Sequence, residues 1–393
     1  MSGLNRRAAV RKRGLKLFLI TALLFALLSQ VFPALSAQTS SAIAQIALSE
    51  PLTLRWQYNS DQTVNLTPAV AGERVYLPLA AGTIVSLRST DGQMFWKTEI
   101  GGEVSASPVA DERAVYIASE TIFPPSKELR ATGALRAMGR EGGVTLWMRT
   151  FHRPLRGSLV TDGTALFGGT QDGRVFAVEK ATGRFLWVMQ HWQPFNSHPA
   201  LYGSKLYIGS DDGNLFALNK DTGDTIWRYR TRGPVRGRAV EVEGVVYFGS
   251  ADGYVYALNA ADGRLRWRTR TGAGVQVVAE GGGGLLIASL DNFVYKISFV
   301  GGDRLWKRQL AGRVASEPLM ARDGALFTPL SGDAGVVLDL RDGKQLNTLP
   351  VGEDNNTAAS PVAVGGVLLV TTRQGLMAFS RPDTSTQSSQ KQQ

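Results

Sequence analysis

Tryptophan recurs along this chain at a nearly constant distance: Trp56, Trp96, Trp147, Trp187, Trp227, Trp267 and Trp306 are separated by 40, 51, 40, 40, 40 and 39 residues. A fixed period of about 40 residues means that one supersecondary unit is being repeated, which constrains the fold far more than the length of 393 does. One grammar fills each interval and is clearest after Gly237, where residues 238–240, 245–250, 254–259 and 264–267 form short runs rich in β-branched and aromatic residues. Such runs read as strands. Between them stand Asp252-Gly253 and Asp262-Gly263. Glycine supplies the positive φ of a tight hairpin, and a neighbouring Asp bonds the turn backbone. Each unit is therefore a four-stranded antiparallel meander.

A meander with two apolar faces is stable only between neighbours, and twisted sheets stacked radially close into a propeller. Units ending in the Trp-bearing strand finish at Trp96, Trp147, Trp187, Trp227, Trp267 and Trp306, and a seventh ends near Leu346, where the Trp is lost. Three more strands follow, residues 360–364, 367–372 and 376–380, with no fourth. The missing strand lies at the other end, where residues 52–57 carry the outer-strand pattern and Trp56. Joining the termini in one blade removes exposed edges. The expected fold is all-β, an eight-bladed propeller spanning residues 51–380 and closed by pairing its N-terminal strand with the C-terminal blade. Each of the seven repeat tryptophans is read as structural, its indole covering the next blade and its N–H bonding a backbone carbonyl.

The formal net charge of +10 points to an anionic partner only until its distribution is considered. Arg6, Arg7, Arg11, Lys12, Arg13 and Lys16 crowd the N-terminus without an acidic neighbour, and without those six, 37 basic residues face 33 acidic ones. A nucleic-acid role loses its support. The basic cluster is followed by an apolar run over residues 17–28, then Pro33 and the small-residue sequence Ala34-Leu35-Ser36-Ala37. This is the layout of a secretory signal, with cleavage after Ser36 or Ala37, although a retained N-terminal anchor fits the same residues. Residues 1–37 are thus a signal peptide or anchor, 38–50 a linker, and 381–393, rich in Ser, Thr and Gln, a disordered tail. With no cysteine, a disulfide framework, thiolate metal sites and lipid attachment to a processed cysteine are excluded.

The segments ADGYVYALNAADGRLRW and DDGNLFALNKDTGDTIW resemble the tryptophan-docked repeat of the PQQ-like, quinoprotein-type propellers. That family includes quinoprotein dehydrogenases and the noncatalytic BamB-type propellers of outer-membrane β-barrel assembly. Length, blade count, export signal and terminal closure are closest to the BamB type. Leu155, Arg156 and Gly157 resemble the Leu-Arg-Gly loop with which BamB-type propellers contact their barrel-assembly partner. The next loop, residues 194–199, lacks the aspartate pair those propellers carry, and the family's lipoprotein cysteine is absent. The resemblance implies a periplasmic, monomeric scaffold that binds envelope proteins, among them the outer-membrane barrel-assembly subunit, with membrane association through the N-terminus or a partner. Two other readings stay open: a propeller binding PQQ or another small redox ligand, and a membrane-anchored adhesion or sensor propeller.

No catalytic residues, cofactor site or metal site emerge from the residues. The carboxylates fall in turn motifs, no run has the alternating ligands and final Glu of a calcium loop, and Gly281-Gly282-Gly283-Gly284 lacks the Lys-Ser/Thr pair of a phosphate loop. His152, His191 and His198 read as partly exposed loop residues without nearby carboxylates. In a meander blade, the connection between the second and third strands and the connection to the next blade emerge on one face. The extra residues of the 51-residue interval, 120–130, therefore share a face with the loops 151–157 and 191–198. That face gathers Phe123, Leu155, Arg156, Gly157, Trp192 and Phe195, the aromatic and Arg composition of a protein-binding patch.

Overall fold

The structure, a computed structural model, describes residues 46–121 and 132–382. The proposed leader, most of the linker, Phe123 and nearly all of the tail lie outside the described residues. Every regular element among the described residues is a β-strand, and the strands form eight antiparallel sheets. Blades 1 to 7 follow in chain order over residues 69–99, 103–151, 160–190, 200–230, 240–270, 275–309 and 319–350. Blade 8 consists of Val362–Val364, Val367–Thr372 and Gly375–Ser380, with Thr53–Asn59 as its outer strand. The first and last strands pair there, Thr53 opposite Ser380 and Asn59 opposite Gly375. The fold is the eight-bladed propeller the repeat implied.

Two features of the strands explain the stacking. The second and third strands of each blade are mostly apolar and almost wholly buried, as in Val245–Gly249 and Tyr254–Asn259. The outer strand Leu265–Arg270 alternates and keeps Arg266, Arg268 and Arg270 exposed, which protects its open edge. The buried side chains form eight clusters, each joining neighbouring blades, so one apolar seam follows another around the ring.

A bulge precedes each repeat tryptophan, for instance between Leu265 and Trp267 where they face Leu258 and Ala257. Bulges re-aim side chains. Here the indole is turned across the seam, where its N–H donates to a carbonyl in the next blade: Trp56 to Ser89, Trp96 to Arg140, Trp147 to Lys180, Trp187 to Lys220, Trp227 to Ala260, Trp267 to Phe299 and Trp306 to Leu340, at 2.8 to 3.4 Å. Each indole lies on the turn between the third and fourth strands of that blade. At Gly263, where φ is +71°, a Cβ would stand 2.8 Å from Trp227, so the turn glycine serves both conformation and packing.

The 51-residue interval lengthens one hairpin. Glu120 and Thr121, read from sequence as loop, continue the strand Ala114–Thr121 and pair with Gly133 and Thr132.

Candidate partner-binding face and central channel

The interblade loops approach the turns between second and third strands on one face, as the topology required. Gln171 N–H donates to Pro154 O, Asp211 N–H to Pro194 O and Ala251 N–H to Pro234 O, at 2.9 to 3.0 Å. The repeat then assigns a fixed task to each position of the loop. Leu155, Phe195, Val235, Val275 and Val314 stand at the same repeat position, and all are buried in the seams. Leu155 is only 1% exposed, among Phe151, Leu159 and Phe176, and Phe195 is fully enclosed beside Phe216 and Ile208. Composition alone places both residues in the contact patch. The structure gives their side chains to the core, because an apolar residue there fills the gap between an interblade loop and the next inner strand.

The next position faces the axis. Arg156 is half exposed and pairs at 2.6 Å with the nearly buried Glu120. Gly157 follows, where a Cβ would lie 2.0 Å from the Ser197 carbonyl oxygen; the residue is small because two blades touch there. Of the Leu-Arg-Gly run, only Arg156 offers a side chain to a partner.

Trp192 is the one tryptophan outside the repeat positions, and it is 71% exposed. Its ring lies 5.6 Å from that of His191. His191 is not a loose loop residue: its Nε2 is 3.1 Å from Asp212 Oδ2, and its ring contacts Phe195 and Phe216. The carboxylate missing from the sequence reading thus comes from the adjacent hairpin turn. Burial pushes the Asp212 carboxyl up, but hydrogen bonds from Ser210, Asn214 and His191 outweigh it and bring it down to about 2. Arg228 and Arg230 on the outer strand of blade 4 line the same hollow of about 300 Å³. The exposed indole therefore lies against a histidine held by Asp212, with cationic groups beside it.

At the axis all eight blades enclose a channel of about 450 Å³, lined among others by Asn65, Ser107, Arg156, His198, Arg238 and Glu317. Its charges are largely matched. Arg236 pairs with Asp211 at 2.9 Å and Arg238 with Glu317 at 3.2 Å. His198 opens onto the channel yet is hemmed in by the walls, and this desolvation lowers its pKa below the ordinary histidine value, with Glu317 acting in the opposite direction and Arg238 adding to it. No Trp, Tyr or Phe faces the channel among the described residues, and its one carboxylate is held by Arg238. The lining does not fit a planar quinone, which needs an aromatic surface to stack on. No group of three or more His, Asp or Glu side chains is placed to hold a metal ion among the described residues.

Comparison with known proteins resolves the kinship. The family described as outer membrane protein assembly factor BamB matches residues 41–123, 131–241 and 231–393. The chain belongs to the BamB family. BamB of Yersinia pestis is 29% identical over 159 residues, 38% of this chain and 37% of that relative's length. The crystal structure of BamB from Moraxella catarrhalis superposes with a TM-score of 0.58 at 16% identity, covering 84% of this chain and 86% of the other. The quinohemoprotein alcohol dehydrogenase of Comamonas testosteroni gives 0.68 at 12% identity, over 84% and 77%. At such identities these two likenesses show the propeller fold alone.

Proposed function

We propose that this protein is a noncatalytic, exported scaffold of the periplasm that assists the assembly of outer-membrane β-barrel proteins; the name of its family, outer membrane protein assembly factor, supports the assembly role. The observation that carries this reading is Trp192: a large aromatic group held out in solvent on the loop face, braced by the His191–Asp212 pair and flanked by Arg228 and Arg230. Exposed aromatics with arginine are the residues that dominate binding energy at protein interfaces. Arg156 and the backbone around Gly157, on the neighbouring interblade loop, extend the contact toward the axis. The noncatalytic reading is supported by the paired charges and non-aromatic lining of the channel. Family membership supports the envelope location and a barrel-assembly partner.

The test is Trp192→Glu in the full chain, with recovery of barrel-assembly components from envelope extracts as the readout. Loss of recovery with an unchanged circular dichroism spectrum supports the proposal. Full recovery moves the contact to another face, and recovery of no such component by the unaltered protein ends the assembly reading.

A further inference from the structure

Seven seams of the propeller are locked by a tryptophan, and the eighth, between blades 7 and 8, is not. At that repeat position stands Asn347, opposite Val337 and just after a bulge, as Trp267 stands opposite Ala257. The reason lies in the closure. An indole docks on the turn joining the third and fourth strands of the next blade, and in blade 8 those strands are Gly375–Ser380 and Thr53–Asn59, which no turn connects. A tryptophan at position 347 would find neither the turn glycine nor the carbonyl.

Residues 46–50 occupy the place instead. Ile46 and Leu48 are buried among Leu319, Leu349, Val351 and Met377. Asn347 Nδ2 donates to Leu48 O at 3.1 Å and to Glu50 O at 2.8 Å. Asp323, in the turn between the two inner strands of blade 7, accepts from Leu48 N–H at 3.2 Å, from Ser49 N–H at 2.8 Å and from Ser49 Oγ. An amide reading carbonyls, a carboxylate reading N–H groups and apolar pockets for side chains two residues apart are the elements by which proteins bind an extended peptide.

We propose that the seam between blades 7 and 8 is a peptide-binding groove whose occupant is the chain's own residues 46–50, a clasp that replaces the eighth tryptophan. The stretch just before the first strand is then a specific ligand of the propeller rather than a free linker. In ring order the groove lies across from blades 3 and 4, so the clasp leaves the loop face around Trp192 clear. Any processing of the leader must spare residues 46–50. Release of the clasp uncovers an apolar groove at this one seam.

The experiment uses the full chain carrying Ile46→Asp and Leu48→Asp, followed by hydrogen exchange. Amides flanking the groove, those of Leu349, Val351 and Phe379, are expected to lose protection at least tenfold, while those of the blade 3–4 seam keep theirs. A synthetic peptide of residues 42–50 added in trans restores protection, and the same peptide with Leu48→Asp does not. Unchanged exchange in the double variant, loss spread evenly around the ring, or failure of the unaltered peptide to restore protection overturns the proposal. Should the double variant fail to fold, Asp323→Ala in the otherwise unaltered chain is expected to raise exchange at the same three amides, and unaltered exchange there has the same overturning force.

Discussion

Trp227 donates its indole N–H to the carbonyl oxygen of Ala260 at 3.0 Å, and it is the most deeply buried of the seven repeat tryptophans. It joins blade 4 to blade 5 through a seam that also holds Tyr207, Phe248 and Tyr256. Replacing it with Ala removes the bond and leaves a cavity that stiff strands cannot close. Trp227→Ala is expected to cost about 3–5 kcal/mol. Trp227→Phe keeps much of the apolar area and should cost less than half of that. Denaturant titration reads both. A loss below about 1 kcal/mol for the Ala variant would show that the indole merely covers the seam.

The turn glycine beneath the same indole supplies an independent check. Gly263→Ala strains a residue at φ +71° and drives the new Cβ to 2.8 Å from Trp227. Only the strain survives when the indole is gone. The cost of Gly263→Ala should therefore be smaller in a Trp227→Ala background than in the unaltered protein, by about 1 kcal/mol or more. Strict additivity would mean that the contact is relieved by a shift of the turn.

These relationships also show which parts of the molecule could be read from the chain. Blade number and closure followed from the spacing of large, chemically distinct residues and from an orphan strand at Trp56, signals that tertiary context does not erase. The loop face was harder. Leu155 and Phe195 drew attention by residue type, yet they recur in phase with Val235 and Val275, and phase was the better guide to burial. The partners of His191 and Asn347 were invisible for a different reason. Asp212 is 21 residues from His191 and Leu48 is 299 from Asn347, and both contacts exist only after blades are placed side by side.

Acid stability offers a test of the platform under Trp192. The Asp212 carboxyl falls from an ordinary value of 3.8 to about 2 in the folded protein, because the bonds from Ser210, Asn214 and His191 outweigh the upward push of burial. A carboxyl depressed by folding contributes stability that is fully present above about pH 4 and is lost as pH falls through 2. The linkage amounts to about 2 kcal/mol. Asp212→Asn should thus be less stable than the unaltered protein at pH 7, with the gap narrowing by about that amount between pH 4 and pH 2. Parallel acid-unfolding curves would place the stabilising bonds elsewhere.

Arg156 and Glu120 set the terms on which the partner face can be probed by mutation. Glu120 keeps only 8% of its side chain exposed, and Arg156, at 47%, supplies the charge that compensates it. Arg156→Glu sets a second carboxylate beside the first, and the cost falls on folding as well as on any contact. Water reaching the half-exposed arginine screens the pair, so a loss of about 1–2 kcal/mol is expected, short of the figure for a fully buried pair. Adding Glu120→Gln removes the buried charge and should restore most of that stability. Trp192→Glu, at an exposed site, should stay within about 0.5 kcal/mol of the unaltered protein. Thermal unfolding of the four chains separates these cases. If Arg156→Glu melts with the unaltered protein, the ion pair is immaterial to the fold, and that variant alone becomes a clean probe of partner binding.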